Sequence, residues 1–268
     1  MTQTTPPRCV VTAVTAARVD LTELWRAHGE GEPGWPAVTR LTTALSDRLV
    51  DLARGTLERS RAEPARVSLL LGSLYGTGHV AESIRQRLDA KGARWLDPEA
   101  FLHFTPHGMT ASLCMRLGLA GYAATLLGPA AGIQTVAQAV RRIRVGGDPS
   151  VLCGAFDFLS PAAAARVGDG EHATGTAAFL LVEAREEARR RDVGGLAGLR
   201  SVEIVEEAGW CSGAAALPPG SAASGVLATL AERLREPGSE GRELTVEAPG
   251  ARARYRIRLV REPEGNRG

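Results

Sequence analysis

Short apolar runs alternate along this chain with longer segments of helical periodicity, and glycine stands near most of the junctions. Residues 9–14 (Cys-Val-Val-Thr-Ala-Val), 67–71 (Val-Ser-Leu-Leu-Leu), 123–127 (Ala-Ala-Thr-Leu-Leu) and 151–155 (Val-Leu-Cys-Gly-Ala) are short and carry almost no polar face, the pattern of buried strands. Leu41, Leu45, Leu49, Leu52 and Ala53 fall on one face of a helix over 41–57. Ile133, Val136, Val140 and Ile143 do the same for a helix over about 129–145. Pro129 suits its first turn, where a missing N–H costs nothing. Arg141, Arg142 and Arg144 favour its C-terminal dipole, and Gly146-Gly147 stop it. Further helices are expected over 79–88 and 109–117, with an irregular stretch over 96–106. Such alternation predicts an α/β layered fold.

Beyond residue 176 the pattern thins. Strands at 177–183 and 199–205 flank a charged helix over 184–191, and one helix (222–234) and two strands (244–247, 254–260) follow. Residues 201–268 are too few elements for an independent large domain. They are read as a reduced half completing the domain begun by residues 1–200.

Composition removes several function classes. The 268 residues carry 32 basic and 30 acidic side chains, a net charge of +2, which makes no electrostatic case for nucleic acid or a membrane surface. No window nears a spanning length, and the N-terminus lacks the apolar run of a signal peptide. Cys9, Cys114, Cys153 and Cys211 stand far apart, so neither a zinc cluster nor a disulfide framework is expected, and a cytoplasmic setting fits.

The polar candidates have ordinary readings. Residues 72–78 (Gly-Ser-Leu-Tyr-Gly-Thr-Gly) lack the Gly-Lys-Ser/Thr of a P-loop and the spacing of a dinucleotide fingerprint, which leaves a tight strand-to-helix turn. His79 after it reads as a surface residue. His103 and His107 have i, i+4 spacing, but Pro106 argues against a helix there, and no third ligand accompanies them. His172 reads as a loop residue, Cys114 and Cys153 as core, and the three arginines as a solvated helix end.

Taken in order, these segments resemble the β-ketoacyl synthases of the thiolase superfamily. Residues 67–78 are similar to that family's strand and Gly-Thr-Gly turn. Residues 106–119 (Pro-His-Gly-Met-Thr-Ala-Ser-Leu, ending Leu-Gly-Leu) are similar to its Pro-Asn-x-x-Ala-Gly-His segment, and 128–132 (Gly-Pro-Ala-Ala-Gly) stand where it has Thr-Ala-Cys-Ala-x-Gly. Residues 151–160 and 168–183 resemble the strands that close its N-terminal half. The resemblance covers about residues 8–200. It implies a layered αβαβα fold, with a nearly complete N-terminal half and a strongly reduced C-terminal half.

The resemblance also implies what is missing. Pro129 falls on the nucleophile's position and removes both the thiol and the backbone N–H that would serve an oxyanion hole. Residues 218–225 (Pro-Pro-Gly-Ser-Ala-Ala-Ser-Gly) resemble one of the family's two histidine motifs without its histidine, and the other motif has no counterpart. The chain is thus similar to a chain length factor, the inactive partner of a type II polyketide ketosynthase. Its truncation resembles forms that accompany polyene-building ketosynthases. No cofactor or metal is implied. The expected partners are a ketosynthase subunit and, through it, an acyl carrier protein. By the same resemblance Ala123, Ala124, Thr125, Leu126 and Leu127 form the dimer strand, and Thr105, Met109 and Leu113 the gate of the acyl tunnel. Two alternatives stay open: an acyltransferase or hydrolase using Ser221 or His172, and a homodimeric acyl-binding regulator.

Overall fold

The computed structural model describes residues 8–20, 23–24, 35–96, 98–158, 174–205, 223–236, 241–249 and 254–262. Its strands are β1 (Cys9–Asp20), β2 (Val67–Ser73), β3 (Ala123–Leu127), β4 (Ser150–Asp157), β5 (Thr174–Ala184), β6 (Ala197–Val205), β7 (Glu243–Pro249) and β8 (Arg254–Arg261). Its α-helices are α1 (Trp35–Ser60), α2 (Gly78–Lys91), α3 (Pro106–Leu117), α4 (Ala131–Arg144), α5 (Arg185–Arg190) and α6 (Ala223–Arg235).

The strands hydrogen-bond in the order β3-β2-β4-β5-β1-β6-β8-β7. β2 lies parallel to β3 and β4, and β5 runs antiparallel to both β4 and β1. The junction between β1 and β6 is slight: only Val10 with Gly198 and Val11 with Ala197. β6, β8 and β7 then pair antiparallel along their lengths. Five strands and three strands therefore meet at a narrow seam.

The period-two alternation of β2 shows how the layers form. Leu69 and Leu71 point to a core with Leu45 and Leu49 of α1 and Leu113 of α3. Leu70 points the other way, into a core with Ile133, Val136 and Val140 of α4 and Leu227, Leu230 and Leu234 of α6. That second core also takes Val246, Ile257 and Leu259 from the three-stranded part. The helix pair α4 and α6 thus lies between the two groups of strands. The predicted central helix is where the apolar spacing put it.

The three-stranded part has a different outer face. Arg256 pairs with Glu247 at 2.5 Å and Arg258 with Glu203 at 3.8 Å, all four partly exposed. Alternating residues along β8 send Ile257 and Leu259 inward and Arg256 and Arg258 outward, so water can cover this face.

Two proline readings need correction. Pro106 was expected to keep helix away from His107, yet it opens α3 at a position where proline's φ fits and no N–H is required. Pro129 was expected inside the first turn of the next helix. It instead precedes the cap residue Ala130, because Gly128-Pro129 form the turn that Ala131 N–H closes onto the Gly128 carbonyl at 3.0 Å.

Candidate functional site

The turn between β3 and α4 is built from Gly128, Pro129, Ala130, Ala131 and Gly132, which offer no nucleophilic side chain and, at Pro129, no N–H. The backbone is packed tightly around it. A Cβ on Gly72 would lie 2.7 Å from the Ala131 carbonyl carbon, and one on Gly132 would collide with the Ala223 carbonyl oxygen. β2, α4 and α6 therefore touch backbone to backbone where α4 begins.

One acidic side chain holds this joint. Asp157, at the end of β4, is buried. Its Oδ1 accepts from Leu74 N–H at 2.7 Å, Ser73 Oγ at 3.1 Å and Tyr75 N–H at 3.3 Å. Its Oδ2 accepts from the N–H and the Oγ of Ser224, both at 2.8 Å. Burial raises its pKa, and these donors, led by the Ser224 and Leu74 N–H groups, oppose that rise. The carboxylate fastens the turn after β2 to the start of α6. Sequence reasoning missed it, although a lone Asp ending an apolar strand was a visible signal.

The α3 segment forms the second feature. Thr105 caps α3 without a side-chain bond and is exposed. Leu113 is fully buried in the core shared with α1. Met109 belongs to the same core and also lines a cleft of about 380 Å³ between α1 and α3. Thr42, Thr43, Ser46 and Asp47 of α1 form one wall, and Gly108, Met109, Ser112 and Arg116 of α3 the other, with Thr77 and His103 between them. His79 is not on the surface as expected: it is 3% exposed, with Nε2 3.2 Å from Thr42 Oγ1. Helix α2 starts one residue before it, and that first turn packs inward against α1. Burial, reinforced by nearby His103, lowers its pKa to about 4 and keeps it neutral.

The third feature is the sheet edge. β3 has β2 on one side and no strand on the other among the described residues. Thr125 Oγ1 and Thr110 Oγ1 lie 2.6 Å apart and tie the strand to α3. Leu127 is 59% exposed, and Phe101, Leu102, Phe104, Met115 and Tyr122 add further exposed apolar surface in the flanking segments.

The remaining candidates do not converge. Among the described residues no group of three or more His, Cys, Asp or Glu could hold a metal. Burial raises the thiol pKa values of Cys9, Cys114 and Cys153, which disfavours the thiolate. Arg142 pairs with Asp148 and stacks over the Tyr122 ring at 3.8 Å, so it is less free than a solvated helix end. His172, Cys211, Ser221 and residues 218–222 lie outside the described residues. No described helix is long and apolar enough to cross a membrane.

No protein-family model matches the sequence, and no curated protein is similar to it. Solved structures are. The ishigamide ketosynthase/chain length factor superposes with a TM-score of 0.68 at 18% identity, over 96% of this chain and 100% of that one. An oxazolomycin ketosynthase domain from Streptomyces albus JA3453 gives 0.66 at 12% identity, over 96% of this chain and 75% of that one. A type II polyketide synthase acyl-carrier protein in complex with its hexaketide-bound ketosynthase gives 0.58 at 17% identity, over 76% of this chain but 64% of that chain. The fold class is therefore defined: mixed α/β, of the thiolase-like ketosynthase kind. The chain spans 75% of the length of that oxazolomycin ketosynthase domain, and among the described residues its sheet has eight strands.

Proposed function

We propose that this chain is a non-catalytic chain length factor, paired with an active β-ketoacyl synthase in type II polyketide chain elongation, with polyene assembly as the leading pathway class. The single observation that carries the reading is the start of α4. Where a ketosynthase-like fold would need a nucleophile and an N–H donor, this chain has Gly128-Pro129-Ala130, with backbone packed against it at Gly72 and Gly132. The fold is kept and the chemistry is gone. Residues 1–200 and 201–268 act as one domain in this reading, in the cytoplasm, with the carrier protein reached through the ketosynthase.

The open edge of β3 supports the pairing. An apolar edge strand invites a partner strand, and Ala123–Leu127 is the segment we assign to the ketosynthase interface. Thr105, Met109 and Leu113 are assigned to the wall that limits the growing chain. Met109 supports that assignment best, because it touches open space as well as core. The test is co-expression with an active ketosynthase from the same genome. A 1:1 complex is expected, with condensation requiring both chains. Met109→Ala should lengthen the product and Met109→Trp shorten it. An unchanged product distribution from soluble heterodimers carrying these changes removes the gate assignment, and a chain that stays monomeric beside every such ketosynthase removes the subunit reading.

A further inference from the structure

Tyr122 stands immediately before β3, at the end of that strand opposite Leu127, and is 48% exposed. It is held by a circuit of contacts that begins and ends on itself. Its N–H donates to Ser68 Oγ at 2.9 Å, and that hydroxyl donates to Asp148 Oδ1 at 2.7 Å. The other carboxylate oxygen takes Arg142 Nε, and the Arg142 guanidinium lies over the Tyr122 ring, 3.8 Å from its centre. On the side of β2, the Tyr122 carbonyl accepts from Leu69 N–H at 2.8 Å. The ring is thus fixed before anything touches its outer surface. Tyrosine and arginine are the residue types that dominate interface energies, and a side chain already held loses little freedom on docking.

The strand alone is too small to hold a partner. β3 has five residues and presents an edge of about 17 Å by 5 Å, whereas a stable interface takes about 800 Å² from each partner. Its flanks must supply most of the contact. At the Leu127 end, Gly76 packs between Leu127 and Pro106, and Thr77 Oγ1 donates to the carbonyl of the exposed Phe104. At the other end stand Tyr122 and Val145, which is 75% exposed and one turn beyond Arg142. What sets Tyr122 apart is its clamp. Charge is balanced there too. A partner carboxylate would compete with Asp148 for Arg142, and a partner cation would face the guanidinium, so an uncharged surface fits.

We propose that Tyr122 anchors the β3 edge of this chain to the ketosynthase subunit, against an uncharged apolar or aromatic surface. Arg142 and Asp148 are positioning residues that act through the Tyr122 ring. The identity of the partner rests on the chain length factor reading. Co-expressed heterodimers with a fluorophore on this chain are mixed with excess unlabelled heterodimer, and loss of label from the complex gives the dissociation rate. Tyr122→Ala should raise that rate about tenfold, while Tyr122→Phe, which keeps the ring, stays within about twofold of the parent. Arg142→Gln should raise it about threefold, and combining it with Tyr122→Ala should add nothing further, because one contact cannot be lost twice. Tyr122→Glu should be at least as fast as Tyr122→Ala. Leu88→Ala, an exposed apolar change on α2, should leave the rate unchanged. If no Tyr122→Ala complex is recovered, Tyr122→Leu is measured in its place, with an increase of about threefold expected. An unchanged rate in that variant or in Tyr122→Ala overturns the anchor and leaves the subunit reading standing. Effects that multiply in the double variant overturn the role of Arg142, and a slower rate in Tyr122→Glu overturns the uncharged surface. A parent chain that binds no ketosynthase from its genome, or that pairs only with a second copy of itself, overturns anchor and subunit reading together.

Discussion

The five-stranded and three-stranded parts of the sheet solve the same problem with different means. β2, β4 and β5 are covered on both faces, by α1 and α3 on one side and α4 and α6 on the other, and their residues are buried almost without interruption. Among the described residues β6, β8 and β7 are covered on one face only, and the other carries Arg256, Arg258, Glu203 and Glu247. A strand group can lose a helix layer if alternate residues along it become charged. The three-stranded group thus presents a charged face to water, and α4 and α6 pack against both groups of strands.

The largest effect should come from the joint between the two. Gly132→Ala places a methyl group against the Ala223 carbonyl, a collision between two helix backbones that cannot be relieved by a rotamer change. We expect loss of soluble, folded protein, or a fall of several kcal/mol by denaturant titration. Near-normal stability would mean that α4 and α6 are not the shared layer.

Next in size is the core of the five-stranded part. Leu113→Ala should cost about 2–5 kcal/mol, as for other large-to-small changes in a close-packed core. Met109→Ala borders open space and should cost less. Thermal melts of the two variants separate packing from gating.

His79 gives a pH-dependent term of similar scale. Its pKa is about 4 in the folded state against 6.5 unfolded, so the unfolded chain binds more protons between those values. The contribution is fully present above pH 6.5 and is lost as the pH falls toward 4, by about 3 kcal/mol in total. Denaturant titration at pH 7 and pH 4.5 should show a smaller acid loss in His79→Gln than in the parent. An identical loss in both would contradict the buried placement. Asp157, whose pKa is raised, acts with the opposite sign and cannot mimic this difference.

The smallest effect belongs to the charged face. Arg258→Ala removes a partly exposed pair at 3.8 Å and should change stability by no more than about 0.5 kcal/mol. A loss comparable to that of Leu113→Ala would mean this face is covered in the working protein.

The strands were legible because buried runs such as residues 67–71, set between Pro64 and Gly72, are too short for a buried helix. The helices were legible through the spacing of Leu41 to Leu57 and Ile133 to Val140, although α1 begins at Trp35, six residues before its apolar stripe. Pro106 was misjudged because the same residue forbids a helix interior and favours a helix start. Asp157 stood out as a lone acid ending an apolar strand, but what it and His79 do was unreadable: their partners, Ser224 and Thr42, lie 67 and 37 residues away, and no local pattern records that. The assignment of Pro129 to a nucleophile's position comes through the resemblance alone, whereas the close backbone packing at Gly72 and Gly132 is visible only in the structure.

The central claim is that this chain carries no acyl group of its own. Intact-mass spectrometry of the co-purified complex, after incubation with an acyl carrier protein loaded with starter unit, measures that directly on each chain. The account predicts an acyl adduct on the ketosynthase and none on this chain, both for the native protein and for Pro129→Cys. An adduct on the native chain, at any residue and in proportion to turnover, would contradict it.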